Sequence, residues 1–186
     1  MWWQPDQRTE SDSEMKLFVN IVSYQLIWFL CILGGNKGAL ISLSLLAIHL
    51  IISNKRRADL RMMCFLLFLG LTVDGTLHQV GLFSFTTSGF PIPFWLMVIW
   101  LGLAITPHHS LAWMQDRPLL SAVFGALGGP AAYWAGVRMG AASFNWPLLY
   151  SLAFLAVLWG VLWTLVMRFS LTSQADQKNA CARLSK

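Results

Sequence analysis

The sequence predicts an all-α membrane protein, a polytopic bundle of six transmembrane helices with both termini in the cytoplasm. Of 186 residues, 56% are hydrophobic and 11% are charged, whereas about a quarter of the residues in a soluble domain are charged. The apolar residues also form six runs, most of them long enough to cross about 30 Å of hydrocarbon as a helix. These observations exclude a water-soluble enzyme, and the length allows one domain.

Each apolar run is bounded by glycine, proline or charged residues. The six runs are Leu17–Leu33, Gly38–Ser53, Met62–Phe85, Pro93–Trp113, Leu119–Gly140 and Pro147–Phe169. The second run has sixteen residues, which correspond to about 24 Å of helix. It is therefore either a thin span or a re-entrant hairpin.

The distribution of basic residues tests the number of spans independently. With six spans, eleven Lys and Arg residues fall on the side of the two termini, and only Lys37 and Arg138 fall on the other side. Cytoplasmic loops carry an excess of basic residues, so the division favours six spans and cytoplasmic termini. If Gly38–Ser53 did not cross, the first two basic clusters would lie on opposite sides.

The chain divides into a short disordered cytoplasmic arm (residues 1–16), a transmembrane domain (17–169) and a disordered cytoplasmic tail (170–186). The arm holds four acidic residues and lacks the basic start of a secretory signal. The net charge of +5 comes without a basic helix or a stripe of basic and aromatic residues, so we expect no nucleic-acid partner. Three cysteines suggest neither a metal-ligand spacing nor a disulfide framework.

Small residues form a stripe along the fifth run. Gly125 and Gly129 form one Gly-x-x-x-Gly pair, and Gly136 and Gly140 form a second. Such pairs let membrane helices approach closely. The alternative interpretation is a helix broken near Pro130, whose freed backbone groups line a cavity.

One of the eight acidic residues and all four histidines lie inside the apolar runs: Asp74, His49, His78, His108 and His109. Such groups are costly in a membrane and suggest a functional site. The directions of the spans predict that Asp74 and the imidazoles converge in the cytoplasmic half of the bundle. His108 and His109 are about 100° apart on a helix, so we expect only one of them to face inward.

An aspartate and a histidine in a dry bundle could move protons, bind a metal or act as general acid and base. The histidine spacings match no metal-ligand motif, so the sequence leaves any metal or cofactor undetermined. The alternative is a buried hydrogen-bonded pair that fixes the register of the helices.

Several of these residues belong to patterns that resemble a known family. The patterns are Gln25 with Trp28-Phe29, Asp74, His109-Ser110-Leu111-x-Trp113, and a glycine-rich string from Gly125 to Gly140 that includes Gly128-Gly129-Pro130 and Tyr133. Over roughly residues 16–168 the chain is similar to the bacterial domain of unknown function 2878. In that family an Asn often precedes the histidine matched by His109, whereas this chain has His108.

The resemblance implies a small multi-pass protein of the bacterial inner membrane, with no established activity. It also implies lipid-modifying membrane enzymes as partners, because members are encoded beside enzymes that act on membrane fatty acyl chains. The lipid bilayer itself is the other expected partner.

Three functions remain open. The first is a membrane-lipid or fatty-acyl role for a polar cavity open to the cytoplasm; its candidate site residues are Asp74, His109, Ser110 and Tyr133. In an enzyme, Asp74 or His109 would be the acid or base and Tyr133 a hydrogen-bond donor. The second is a proton-coupled carrier of a small or amphipathic solute, with Asp74 titrating. The third is a non-catalytic scaffold or assembly partner.

Overall fold

The computed structural model describes the backbone of residues 7–184 and the side chains of residues 14–173. These residues form five α-helices, a two-stranded ribbon and one turn of 3-10 helix at Ala112–Met114. The helices are α1 (Gln7–Ile52), α2 (Arg56–Gln79), α3 (Phe94–Leu103), α4 (Pro118–Arg138) and α5 (Leu148–Leu184). The strands are β1 (Phe83–Phe85) and β2 (Ala142–Phe144). The all-α prediction is confirmed.

Helix α1 is a hairpin rather than one rod. Gly35 has φ 52° and ψ −136°, a conformation that glycine adopts without the steric cost of a side chain. The Sγ atom of Cys31 lies 3.6 Å from Oγ of Ser42, although eleven residues of straight helix span about 16 Å. The two limbs, residues 7–34 and 36–52, therefore run antiparallel. They coincide with the first two predicted runs.

Among the residues whose side chains are described, four helical segments are long and apolar enough to cross a membrane: Glu14–Ile52, Arg56–Gln79, Pro118–Arg138 and Leu148–Ser173. Their outer faces expose large apolar side chains, as at Phe68 and Leu149, which are 67% and 78% exposed. Such faces suit contact with lipid, and together with the long apolar helices they are consistent with a membrane protein. The third run lies earlier in the chain than predicted, because α2 begins at Arg56 and ends at Gln79.

The fourth predicted run, Pro93–Trp113, is wrong as a continuous helix. Helix α3 ends at Leu103 after ten residues. Pro107 follows closely; it lacks a backbone N–H and disfavours the α conformation at Thr106. Residues 104–111 instead form turns. His108 and His109 lie in these turns, so the prediction that they are neighbours on a helix is also wrong.

This turn segment is buried, and its backbone carbonyls receive side-chain donors. Asn20 Nδ2 donates to Ile105 O at 3.1 Å, Gln115 Nε2 to Pro107 O at 2.7 Å, and Lys55 Nζ to His108 O at 2.7 Å. Irregular backbone inside a membrane protein is tolerated where protein groups satisfy it in this way. Asn20 ties the segment to α1 and Lys55 ties it to the start of α2, while Gln115 Nε2 also donates to Ser170 Oγ of α5 at 2.8 Å.

The chain ends differ from the disordered arm and tail predicted for residues 1–16 and 170–186. Helix α1 begins at Gln7 and α5 continues to Leu184, so residues 7–16 and 170–184 are helical. Residues 1–6 and 185–186 lie outside the described part of the chain.

Strands β1 and β2 pair antiparallel, with Ser84 opposite Ser143. The ribbon joins the connection after α2 to the connection after α4 and so holds the ends of these helices together. Asp74 lies five residues before the end of α2, and Tyr133 lies five residues before the end of α4. The ribbon therefore brings Asp74 and Tyr133 to the same level.

Two stacked tryptophans, one from α3 and one from α5, pack against glycines of α2 and α4 near Asp74 and Tyr133. The rings of Trp100 and Trp159 stack with centroids 5.3 Å apart. A Cβ atom at Gly70 would lie 2.5 Å from the Trp100 ring, and one at Gly129 would lie 2.2 Å from the Trp159 ring. The Gly125–Gly129 pair thus serves close packing of α4 on α5, and α4 continues through Pro130 without a break.

Candidate functional site

Asp74 is fully buried, with 0% exposure, and both carboxylate oxygens accept hydrogen bonds. Trp100 Nε1 donates to Oδ2 at 2.8 Å, and the Tyr133 hydroxyl donates to Oδ1. Packing of the Trp100 ring on Gly70 aims the indole nitrogen at Asp74, one helical turn further along α2. The donors are neutral, so this carboxylate is held by hydrogen bonds among aromatic rings rather than by an ion pair.

A second buried carboxylate lies near the start of α2. Asp59 is also 0% exposed. His109 Nε2 lies 3.1 Å from both of its carboxylate oxygens, and His49 Nε2 lies 3.3 Å from Oδ2. The Ser53 hydroxyl donates to Oδ2 at 2.5 Å. The two imidazole rings contact each other edge to face, with centroids 5.0 Å apart.

The two carboxylates are far apart, because fifteen residues of α2 separate them, or about 22 Å of helix. His109 contacts Asp59, so it does not reach Asp74. The expectation that Asp74 and an imidazole converge in the bundle is therefore wrong. His78, one turn after Asp74, turns its Nδ1 to Phe83 O at 3.1 Å.

The remaining predicted residues support the turn segment. The amide and hydroxyl of Ser110 both donate to Asn20 Oδ1, at 3.2 and 2.6 Å. His108 Nδ1 lies 2.9 Å from the Ser170 hydroxyl, which also accepts from Gln115. Of the four predicted site residues, the structure therefore brings together Asp74 and Tyr133 and places His109 and Ser110 elsewhere.

Asp74 and Tyr133 line a partly open inner cavity of about 80 Å³. The rest of its wall is mainly aromatic and aliphatic, including Tyr24, Trp28 and Trp159. A volume of this size has room for a few waters. Asp74 and the Tyr133 hydroxyl are thus polar groups on the wall of an otherwise apolar chamber.

A larger groove of about 570 Å³ lies between the first limb of α1 and helix α4. Its wall shares Tyr24, Trp28 and Trp159 with the inner cavity, so the two volumes adjoin. The groove is mostly apolar, with polar groups from Gln25, Thr106 and Ser110. About 300–1,000 Å³ is the usual range for small-molecule sites, which are also mostly apolar.

The model for the family described as a protein of unknown function, DUF2878, matches residues 17–165. The chain belongs to the DUF2878 family. No curated protein and no solved structure matches this DUF2878 chain.

Sequence reasoning missed Asp59, because it placed this residue in a polar connection rather than in a span. In the DUF2878 protein α2 starts at Arg56, and Asp59 falls in its buried first turn. One signal was present in the sequence: Asp59 is the only acidic residue in a segment with Lys55, Arg56, Arg57 and Arg61.

Proposed function

We propose that this protein is a multi-pass protein of the bacterial inner membrane that binds a lipid or fatty acyl molecule in the groove between α1 and α4. The apolar chain lies along α4, and the polar group meets the exposed amide of Gln25, because the hydroxyls of Thr106 and Ser110 are nearly buried and donate to Leu103 O and Asn20 Oδ1. The observation that carries the proposal is the groove itself, about 570 Å³ with an apolar wall and three polar side chains. It serves a step of membrane lipid metabolism, either directly or beside a lipid-modifying enzyme.

The position of Gln25 supports an amphipathic ligand. Gln25 is an exposed residue of the first limb of α1, ten residues from the reversal at Gly35, or about 15 Å along the limb. An amide at this depth has no water to bond and is costly against lipid tails. A ligand with a polar group in the groove offers it a hydrogen-bond partner.

Six spans with cytoplasmic termini remain our proposal for the topology. The reversal of α1 at Gly35 supports one span in each limb of the hairpin. In this proposal α3 and the buried turn segment after it form the fourth span. Lys37 then lies at the tip of the hairpin and Arg138 at the end of α4, on the side opposite most basic residues. This division follows the positive-inside rule.

A proton-coupled carrier is the second candidate, and the inner cavity favours it. The carboxylate of Asp74 is fully buried and lines this cavity, so it could take up and release a proton while a solute occupies the cavity. The scaffold hypothesis has less support, because Gly125 and Gly129 are already covered by Trp159 of the same chain.

The test is the retention of lipid by the purified protein in mild detergent, measured by mass spectrometry. Gly128 lines the groove, and a Cβ atom there meets nothing within 4 Å, so the side chain of Gly128→Leu can leave the backbone freely and should occupy part of the groove. We expect this variant to lose most of the retained lipid. Gly34→Leu is the matched control, because Gly34 is equally open and does not line the groove.

Equal lipid retention by wild type and Gly128→Leu would contradict the proposal. Lipid profiles of cells with and without the gene then identify the affected chemical class. For the carrier, proteoliposomes should show solute flux driven by a pH gradient and lost in Asp74→Asn. Flux without lipid retention would favour the carrier.

A further inference from the structure

We propose that His49, Asp59 and His109 bind a divalent transition-metal ion, with Zn²⁺ as the reference ion. One ligand atom from each of these side chains lies within 4.8 Å of the other two. Two imidazoles and one carboxylate form a ligand set used for catalytic zinc and for non-haem iron. The site is independent of the lipid groove and is about 22 Å of helix from Asp74.

The distances between the ligand atoms fit a shared metal. Two atoms that are each about 2.05 Å from a tetrahedral zinc ion are about 3.3 Å apart. His49 Nε2 is 3.3 Å and His109 Nε2 is 3.1 Å from Asp59 Oδ2. The edge-to-face packing of the two rings allows both Nε2 atoms to approach the same carboxylate. All three ligand atoms lie within 4.8 Å of one another.

The neighbouring cations do not compete for the carboxylate. Among the described side chains, Asp59 forms its ion pairs with His49 and His109, although basic residues adjoin it in sequence. Lys55 Nζ donates to His108 O, and Arg56 donates to the carbonyls of Leu50 and Ile51. The carboxylate of Asp59 thus pairs with two imidazoles, although Lys and Arg residues adjoin it in sequence. This pairing places a carboxylate and two imidazoles together, as a metal site requires.

The surroundings orient the ligands and leave a path for the ion. The Ser53 hydroxyl donates to the Asp59 carboxylate, an outer interaction of the kind that orients metal ligands. The side chains of His49 and His109 are 16% and 23% exposed, whereas Asp59 is 0% exposed. The imidazole side is therefore the accessible side of the cluster, and three protein ligands leave a position for water or substrate.

The test measures metal binding by the full chain, purified in detergent with an affinity tag that contains no histidine. After chelation, Zn²⁺ is titrated against a chromophoric chelator, and bound metal is counted by mass spectrometry. We expect one ion per chain in the wild type and at least about tenfold weaker binding in Asp59→Asn, His49→Gln and His109→Gln. His78→Gln is the matched control, because His78 faces Phe83 O at the other end of α2, and its affinity should be unchanged.

Co²⁺ provides a second measurement that needs no variant. The wild type should show the strong visible absorption of cobalt bound by four or five nitrogen and oxygen ligands, rather than the weak absorption of hydrated cobalt. This spectrum decides the matter if the cluster variants fail to fold. Absence of the spectrum, or equal zinc affinity in wild type and cluster variants, would overturn the proposal.

Discussion

Helix α2 carries two fully buried carboxylates, and their surroundings differ. Asp74 accepts from Trp100 and Tyr133, two neutral donors on rigid aromatic rings. Asp59 meets the imidazoles of His49 and His109, whose edges are partly exposed. Burial is the same at both positions, so burial alone does not indicate what each carboxylate does.

The two sites differ in whether the groups that contact the carboxylate could also bind a metal ion. At Asp74 the Trp100 N–H can only donate and the Tyr133 hydroxyl is engaged in donating to the same carboxylate, and the stacking of Trp100 on Trp159 holds the indole in place. The imidazoles at Asp59 can instead turn a lone pair toward a cation. We therefore interpret the Asp74 end as a fixed polar element of a cavity wall and the Asp59 end as a binding site for an ion.

The largest loss of stability is expected when the Asp74 carboxylate is removed. Asp74→Ala leaves the Tyr133 hydroxyl and the Trp100 N–H without their acceptor inside the bundle, a loss of about 2–6 kcal/mol if each group costs 1–3 kcal/mol. Reversible unfolding in detergent measures it. Asp74→Asn keeps one acceptor and should lose less. Equal stability of Asp74→Ala and wild type would show that water already reaches these donors.

Zn²⁺ should stabilise the folded protein by binding to the cluster of His49, Asp59 and His109 near the start of α2. At a free concentration one hundred times Kd, a ligand that binds only the folded state adds about 2.7 kcal/mol. We expect this gain in wild type and in Asp74→Asn, and not in Asp59→Asn, measured as the shift of the unfolding transition with added Zn²⁺. A gain that survives Asp59→Asn would place the ion elsewhere.

Without metal, Asp59→Ala should cost less than Asp74→Ala. His49 and His109 can turn to water when the carboxylate is removed, so the loss should be near the value of one or two ordinary hydrogen bonds, about 1–2 kcal/mol. The same unfolding measurement, made with a chelator present, tests it. A loss larger than that of Asp74→Ala would reverse the ranking of the two ends.

The sequence predicted the Asp74 end in part, for physical reasons. An acidic residue within an apolar run is visible from composition, and its burial follows from the fold class. Its partners were not visible, because the ribbon of residues 83–85 and 142–144 sets the level of Tyr133. The stacking of Trp100 on Gly70 likewise joins residues that are distant in the chain.

The cluster around Asp59 was not predicted, because two local features of the fold do not follow from hydropathy. Pro107 ends α3 early and turns His109 toward α2, whereas hydropathy alone predicts a continuous span. The start of α2 at Arg56 buries a residue that a charged segment places in a loop. Hydropathy locates apolar runs well, and it does not resolve which polar residues at their borders turn inward.

The smallest expected effects come from single hydroxyls, one at each end. Tyr133→Phe keeps the ring and removes one donor to Asp74, and Ser53→Ala removes one donor to Asp59. A typical hydrogen bond contributes about 0.5–1.5 kcal/mol, and one to a charged group contributes more. Tyr133→Phe should be the costlier change, since water can replace the Ser53 hydroxyl near the exposed imidazoles. Combining Tyr133→Phe with Asp74→Ala, which removes both acceptors, isolates the coupling between these two side chains. Additive losses would mean that the Tyr133 hydroxyl contributes independently of the Asp74 carboxylate, and the Asp74 end would then have no polar network to contrast with Asp59.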